Sequence, residues 1–63
     1  MANRVRLLRT EKGLTLKQVA EKVDCSIAFL SDLEKGNRGA RPETWARIAE
    51  ALGVKVEELR EAS

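Results

Sequence analysis

The side chains able to do chemistry in this chain are nearly all charged. Its 63 residues include 12 Lys and Arg and 10 Asp and Glu, but no His, no Tyr and one Cys, Cys25. A lone thiol expected to be buried, with no imidazole to activate it, supplies no catalytic pair. The adjacent acids Glu57 and Glu58 fall on an exposed helical face, where solvation is the simpler reading. No glycine-rich phosphate loop follows a strand, and no strand is expected anywhere. Catalysis is therefore not expected. One Cys also excludes an intrachain disulfide and a cysteine-built metal site, and the lack of His excludes a zinc finger, so no metal and no cofactor are expected.

What remains is binding by charge, and the charges are unevenly placed. The net charge of +2 is mild, but residues 1–22 carry six Lys and Arg against two acids. Residues 23–34 carry three acids and no base, residues 35–47 return to an excess of three positive charges, and residues 48–63 sum to −2. Two basic zones thus flank an acidic or neutral middle. That suits outer parts that grip phosphates around a middle that faces base edges. A solvated surface of mixed charge gives the same counts.

The stretch that must position these groups runs from Thr15 to Gly36, TLKQVAEKVDCSIAFLSDLEKG. Two short apolar-periodic segments, LKQVAEKV and IAFLSDLEK, are joined by Asp24-Cys25-Ser26. Helices below about 12 residues are marginal alone in water, and so short a connection makes the two cross steeply and pack on each other. The pattern predicts a helix-turn-helix with helices over 16–23 and 26–35. Thr15 and Ser26 stand where a hydroxyl can cap each helix, and Gln18 completes a capping box with Thr15. Ala20 shares the apolar face with Val19 and Val23, and its small side chain lets the backbones approach. Cys25 is expected to point inward and plug the corner. Gly36 supplies the left-handed stop.

The run GLTLKQVAEKVDCSIAFLSDLEKGNR resembles the Cro/C1-type (Xre-like) helix-turn-helix of lambdoid phage repressors and many small bacterial regulators. The likeness extends from about Val5 to Leu59, through the KGLT start, Ala20, the LSDLEKG exit and IAEALGV. It implies an all-α, compact five-helix bundle of the lambda-repressor-like type and binding to double-stranded DNA. By this resemblance, positions 27, 28 and 32 of the recognition helix reach base edges. Ser26, Ile27, Ala28, Ser31 and Asp32 form its outer face. Ile27 and Ala28 suit thymine methyl groups, and Asp32 can accept from a cytosine amino group. Phe29 stays open, with a ring packed against the second or the first helix as the plainer reading. Arg9 matches the position that pairs with the glutamate ending the recognition helix, here Glu34, so a partly buried Arg9–Glu34 salt bridge is expected. The chain departs from the family at Leu16, often a glutamine bonded to the DNA backbone, and at Asp24, usually a glycine with positive φ.

The remaining elements follow from local signals. A first helix over residues 2–12 pairs Val5 with Leu8, stops at Lys12-Gly13 and can be capped by Asn3. Leu7 is expected to be half-exposed, and Leu14 enters the core. Arg4, Arg6, Lys17, Lys35, Asn37, Arg38 and Arg41 are the candidate phosphate contacts, the last three in the polar loop GNRGAR. Pro42 suits the first position of a helix over 42–52, with Trp45, Ile48, Ala49 and Leu52 on one stripe and Arg47 pointing away. Trp45 is expected in the core with its N–H at a polar edge. After Gly53 a short helix is predicted over 56–61, its start frayed because Lys55 stands where relatives often carry a capping Ser or Asp. Val54, Val56 and Leu59 close the core or form a two-fold dimer patch, as in related phage repressors.

A chain of this size allows one domain, residues 1–63, with a small core. No run approaches the ~18 apolar residues of a membrane span, no signal peptide is visible, and a single thiol fits a reducing cytoplasm. Two readings of function stand. The first is a small repressor-like regulator that binds specific duplex DNA, as a homodimer at least on DNA, with no small-molecule ligand evident. The second is a protein-interaction module that has kept the scaffold and lost base reading, which the apolar and weakly acidic set Leu16, Ile27, Ala28 and Asp32 would suit.

Overall fold

The computed structural model describes residues 3–59, which form five helices and no strand. They are α1 (Val5–Glu11), α2 (Leu16–Val23), α3 (Ile27–Lys35), α4 (Pro42–Leu52) and α5 (Val56–Leu59). None is long and apolar enough to cross a membrane. α2 packs on both α3 and α4, and α4 packs on α5. The core joins Val5 and Leu8 of α1, Val19, Ala20 and Val23 of α2, and Leu30 and Leu33 of α3 to Ile48, Ala49, Leu52 and Leu59. Each helix is short enough that burial of its apolar stripe, rather than propensity, holds it.

Three boundaries differ from the sequence reading. α1 begins at Val5 because Arg4, at φ −94° and ψ 9°, is its N-cap and has no side-chain cap bond. Asn3 does the capping from one residue earlier, its Oδ1 accepting from the Val5 N–H at 3.0 Å; residue 2, the expected start, lies outside the described residues. α3 begins at Ile27 because Ser26 is its extended N-cap. α5 is described to Leu59, and the expected residues 60 and 61 lie outside the description.

Two packing expectations are corrected. Trp45 is half-buried and packs on the margin of the core, since it sits near the first turn of α4, at the end of the stripe that Ile48, Ala49 and Leu52 continue inward. The start of α5 is not left open by Lys55. The Glu58 carboxylate reaches back to accept the Lys55 N–H at 2.8 Å, the half of a capping box that needs no hydroxyl.

Asp24 ends α2 in the left-handed region, φ 65° and ψ 50°, the conformation the turn demands whichever residue fills it. Aspartate holds it at a cost of about 1 kcal/mol against glycine. The turn closes through the Cys25 N–H, which donates to the Ala20 carbonyl at 2.9 Å.

Candidate nucleic-acid interface

The outer face of α3 is set by bonds on its inner side. Arg9 donates from Nε to Glu34 Oε2 at 2.6 Å and from Nη2 to Oε1 at 3.3 Å. Its Nη1 donates to the Leu14 carbonyl at 2.7 Å. The paired side chains are only 11% and 5% exposed, so one guanidinium fork ties α1, the start of the motif and the end of α3 together in low dielectric. Asn3 adds a second tie, Nδ2 donating to the Leu33 carbonyl at 2.7 Å. A third runs from the Arg4 N–H to the Leu59 carbonyl at 2.8 Å, joining the start of α1 to the end of α5.

Each helix of the motif is fixed at its start. The Thr15 hydroxyl accepts from the Gln18 N–H at 3.0 Å while the Gln18 side chain accepts from the Thr15 N–H at 2.8 Å. The Ser26 hydroxyl accepts from the Phe29 N–H at 3.0 Å. Ser26 is therefore engaged as a cap, which uses one lone pair of its oxygen and leaves the hydroxyl proton and the second lone pair for a ligand.

This geometry turns Ser26, Ile27, Ala28 and Asp32 outward, with Ser31 half-buried among them. Ile27 is 48% exposed, a large apolar side chain held in water by its place on the helix. Lys17 is exposed beside the start of α2, while Leu16 is half-buried and packed against the core. At the other end of α3, Gly36 takes φ 79° and the Asn37 N–H donates to the Asp32 carbonyl at 3.0 Å, which fixes the exit of the loop. Lys35, Asn37, Arg38 and Arg41 are exposed there, and Arg4 and Arg6 are exposed on the α1 side. Leu7, 48% exposed, Leu16, Arg6, Ser31 and Lys35 line an open groove of about 660 Å3 between α1, α2 and α3.

Phe29, left open by the sequence, is half-buried against the core, and the Arg38 guanidinium lies over its ring, 4.1 Å from the centroid. Sequence reasoning missed this contact and the Asn3–Leu33 bond, because both join residues that no local period relates. Of the expected dimer patch, Leu59 is fully buried in the chain's own core and has no surface to offer. Val54 and Val56 are half-buried. Cys25, expected to be buried, is only half-buried, because it sits in the turn between α2 and α3 at the margin of the core it packs against. Burial pushes its thiol pKa up, and the neighbouring Asp24 charge adds to the rise. Among the described residues no cluster of His, Cys, Asp or Glu could hold a metal ion.

Known proteins share this fold. Residues 1–62 match the family described as Helix-turn-helix domain. The HTH-type transcriptional regulator DdrOP3 of Deinococcus deserti is 39% identical over 61 residues, 97% of this chain and 47% of that protein. The clp gene regulator ClgR of C. glutamicum superposes with a TM-score of 0.80 at 37% identity, over 86% of this chain and 70% of its own. The restriction-modification controller protein C.AhdI of Aeromonas hydrophila gives a TM-score of 0.83 at 29% identity, over 87% and 83%. The chain belongs to the helix-turn-helix domain family of Cro/C1 type, a DNA-binding and non-enzymatic class found in transcriptional regulators. It spans about half the length of the Deinococcus regulator, 47%.

Proposed function

We propose that the chain binds a specific site in duplex DNA as the DNA-reading domain of a repressor-like transcriptional regulator, with α3 in the major groove. The observation that carries this reading is the framing of one exposed helix face. Ile27, Ala28 and Asp32 are exposed on a helix tied by Arg9–Glu34, and exposed Lys17 precedes that face in the chain while exposed Lys35, Asn37, Arg38 and Arg41 follow it. Phosphates are held by this basic rim and by Arg4 and Arg6, which sets register without reading sequence. Base reading falls to methyl contacts from Ile27 and Ala28, to Asp32 accepting from a cytosine amino group, and to the hydroxyls of Ser26 and Ser31. Two of these readers are apolar, so groove shape carries a share of the specificity. Two copies read half-sites about one helical turn apart, with Val54 and Val56 as the surface nearest to a partner copy and Leu59 excluded by burial.

The test is fluorescence anisotropy against random duplex DNA at several salt concentrations, followed by sequencing of the retained duplexes. Each neutralised phosphate contributes about 0.9 to the log–log salt slope. A slope equivalent to several phosphates and a recovered two-part site are expected. Absence of binding at low salt would sink the reading.

A further inference from the structure

Phe29 stands one position from Ala28 on α3, yet its ring is half-buried against the core and carries the Arg38 guanidinium at 4.1 Å. The loop makes this contact possible. Gly36 in the left-handed region and the Asn37 N–H bond to the Asp32 carbonyl fix the chain exit one residue before Arg38. Arg38 is otherwise exposed, and the one ion pair among the described residues is Arg9–Glu34. The negative face of the ring holds the charge and uses none of the guanidinium's N–H donors. Those donors remain for a phosphate, which the fork matches in a bidentate way. Arg38, Arg41 and Thr44 border the same open cleft of about 350 Å3 beside the ring.

We infer that Phe29 is a positioning residue for duplex binding: its ring holds Arg38 in the orientation in which the guanidinium meets a backbone phosphate at the loop after α3. This rests on the DNA reading above and adds a residue to it. A long arginine loses rotamer freedom when it is immobilised at an interface, and a ring that already restrains it removes part of that loss. The effect expected from an exposed cation–π contact is about two- to fivefold in affinity.

The experiment is a double-mutant cycle on the selected duplex with Phe29→Leu, Arg38→Ala and the pair, plus Phe29→Trp as the ring-keeping variant. Leucine keeps apolar volume against the core and removes the ring. Phe29→Leu is expected to weaken binding about two- to fivefold with Arg38 present and to have no further effect with Arg38→Ala. Phe29→Trp is expected to retain wild-type affinity. Should Phe29→Leu fail to fold, the ring-current shift of the Arg38 side-chain protons in the free wild-type chain reads the contact directly by NMR. An upfield shift supports the inference, and its absence overturns it. Equal losses for Phe29→Leu in both backgrounds, or no loss in either, would overturn this inference alone. A wild-type chain that binds no duplex at low salt would overturn the DNA reading and this inference with it.

Discussion

Arg9 is the residue on which the pose of α3 most depends. Its guanidinium is shared between the Glu34 carboxylate and the Leu14 carbonyl, in a site where both charged side chains are almost out of water. Removing one member strands the other, which costs about 3 kcal/mol or more in such buried pairs. Arg9→Ala is expected to lower the unfolding free energy by that amount, read in a urea titration as a lower midpoint at unchanged m-value. Arg9→Met with Glu34→Leu together should recover most of the stability, since no charge is then left unpaired. Asp24 is the second informative residue. It is the one non-glycine with positive φ among the described residues, at φ 65°, so Asp24→Gly is expected to raise stability by about 1 kcal/mol in the same titration. The same change removes the carboxylate that helps raise the Cys25 thiol pKa, the lesser cause after burial. Thiol modification should then speed up at a given pH, because the thiolate is the reactive form. The sign for stability follows from the raised folded pKa. The folded thiol keeps its proton where the unfolded thiol has lost it, so this contribution is whole below the unfolded pKa, about 8.5, and is lost as pH rises through the folded value. A wild-type chain whose stability gains from Cys25 on going from pH 8 to 10, compared with Cys25→Ala, would contradict this.

At the scale of elements, the motif was legible because its signals are local. Thr15 with Gln18, Ser26 ahead of Phe29 and Gly36 past Lys35 mark helix ends by side-chain chemistry that needs no partner far along the chain. The capping box at α2 should be worth about 1 kcal/mol, within the usual range for loss of such a cap. Thr15→Ala is therefore expected to lower the melting temperature by several degrees, and Thr15→Ser to restore it, as read by circular dichroism. What the sequence did not display are the features set by how elements meet. One miss was local instead: Lys55 suggested a frayed α5, but Glu58, three residues on, reaches back to the Lys55 N–H as the N3 glutamate of a capping box does. Trp45 shares the stripe of Ile48 and Leu52, and nothing in a helical period says that α4 begins at the core's margin. The Phe29–Arg38 contact depends on the path of the loop after α3, and the Asn3 bond to Leu33 on how the start of α1 meets the end of α3. The Arg9–Glu34 pair, equally distant in sequence, was reached only through the resemblance to Cro/C1-type domains, and α3 ends where the fork of Arg9 can meet it.

The whole molecule sets the last expectation through its size. The principal extents of the described residues are 28 × 21 × 20 Å, shorter than one turn of B-DNA at about 34 Å. One copy with α3 in the major groove can therefore read one half-site and the phosphates beside it, and a second copy is needed for a longer site. If the two copies touch through Val54 and Val56, their binding is coupled and depends on the angle between half-sites as well as their distance. Inserting about five base pairs, half a helical turn, would put the second half-site on the opposite side of the duplex and should remove the coupling. The expected result in a gel-shift titration is cooperative occupancy at the selected spacing, reduced to independent occupancy by the insertion. Val54→Ser with Val56→Ser should have the same effect on cooperativity while single half-site affinity stays as it was, because neither residue belongs to the basic rim or to the face of α3. Cooperativity that survives both changes would place the contact between copies elsewhere on the chain, or in the bending of the DNA between them.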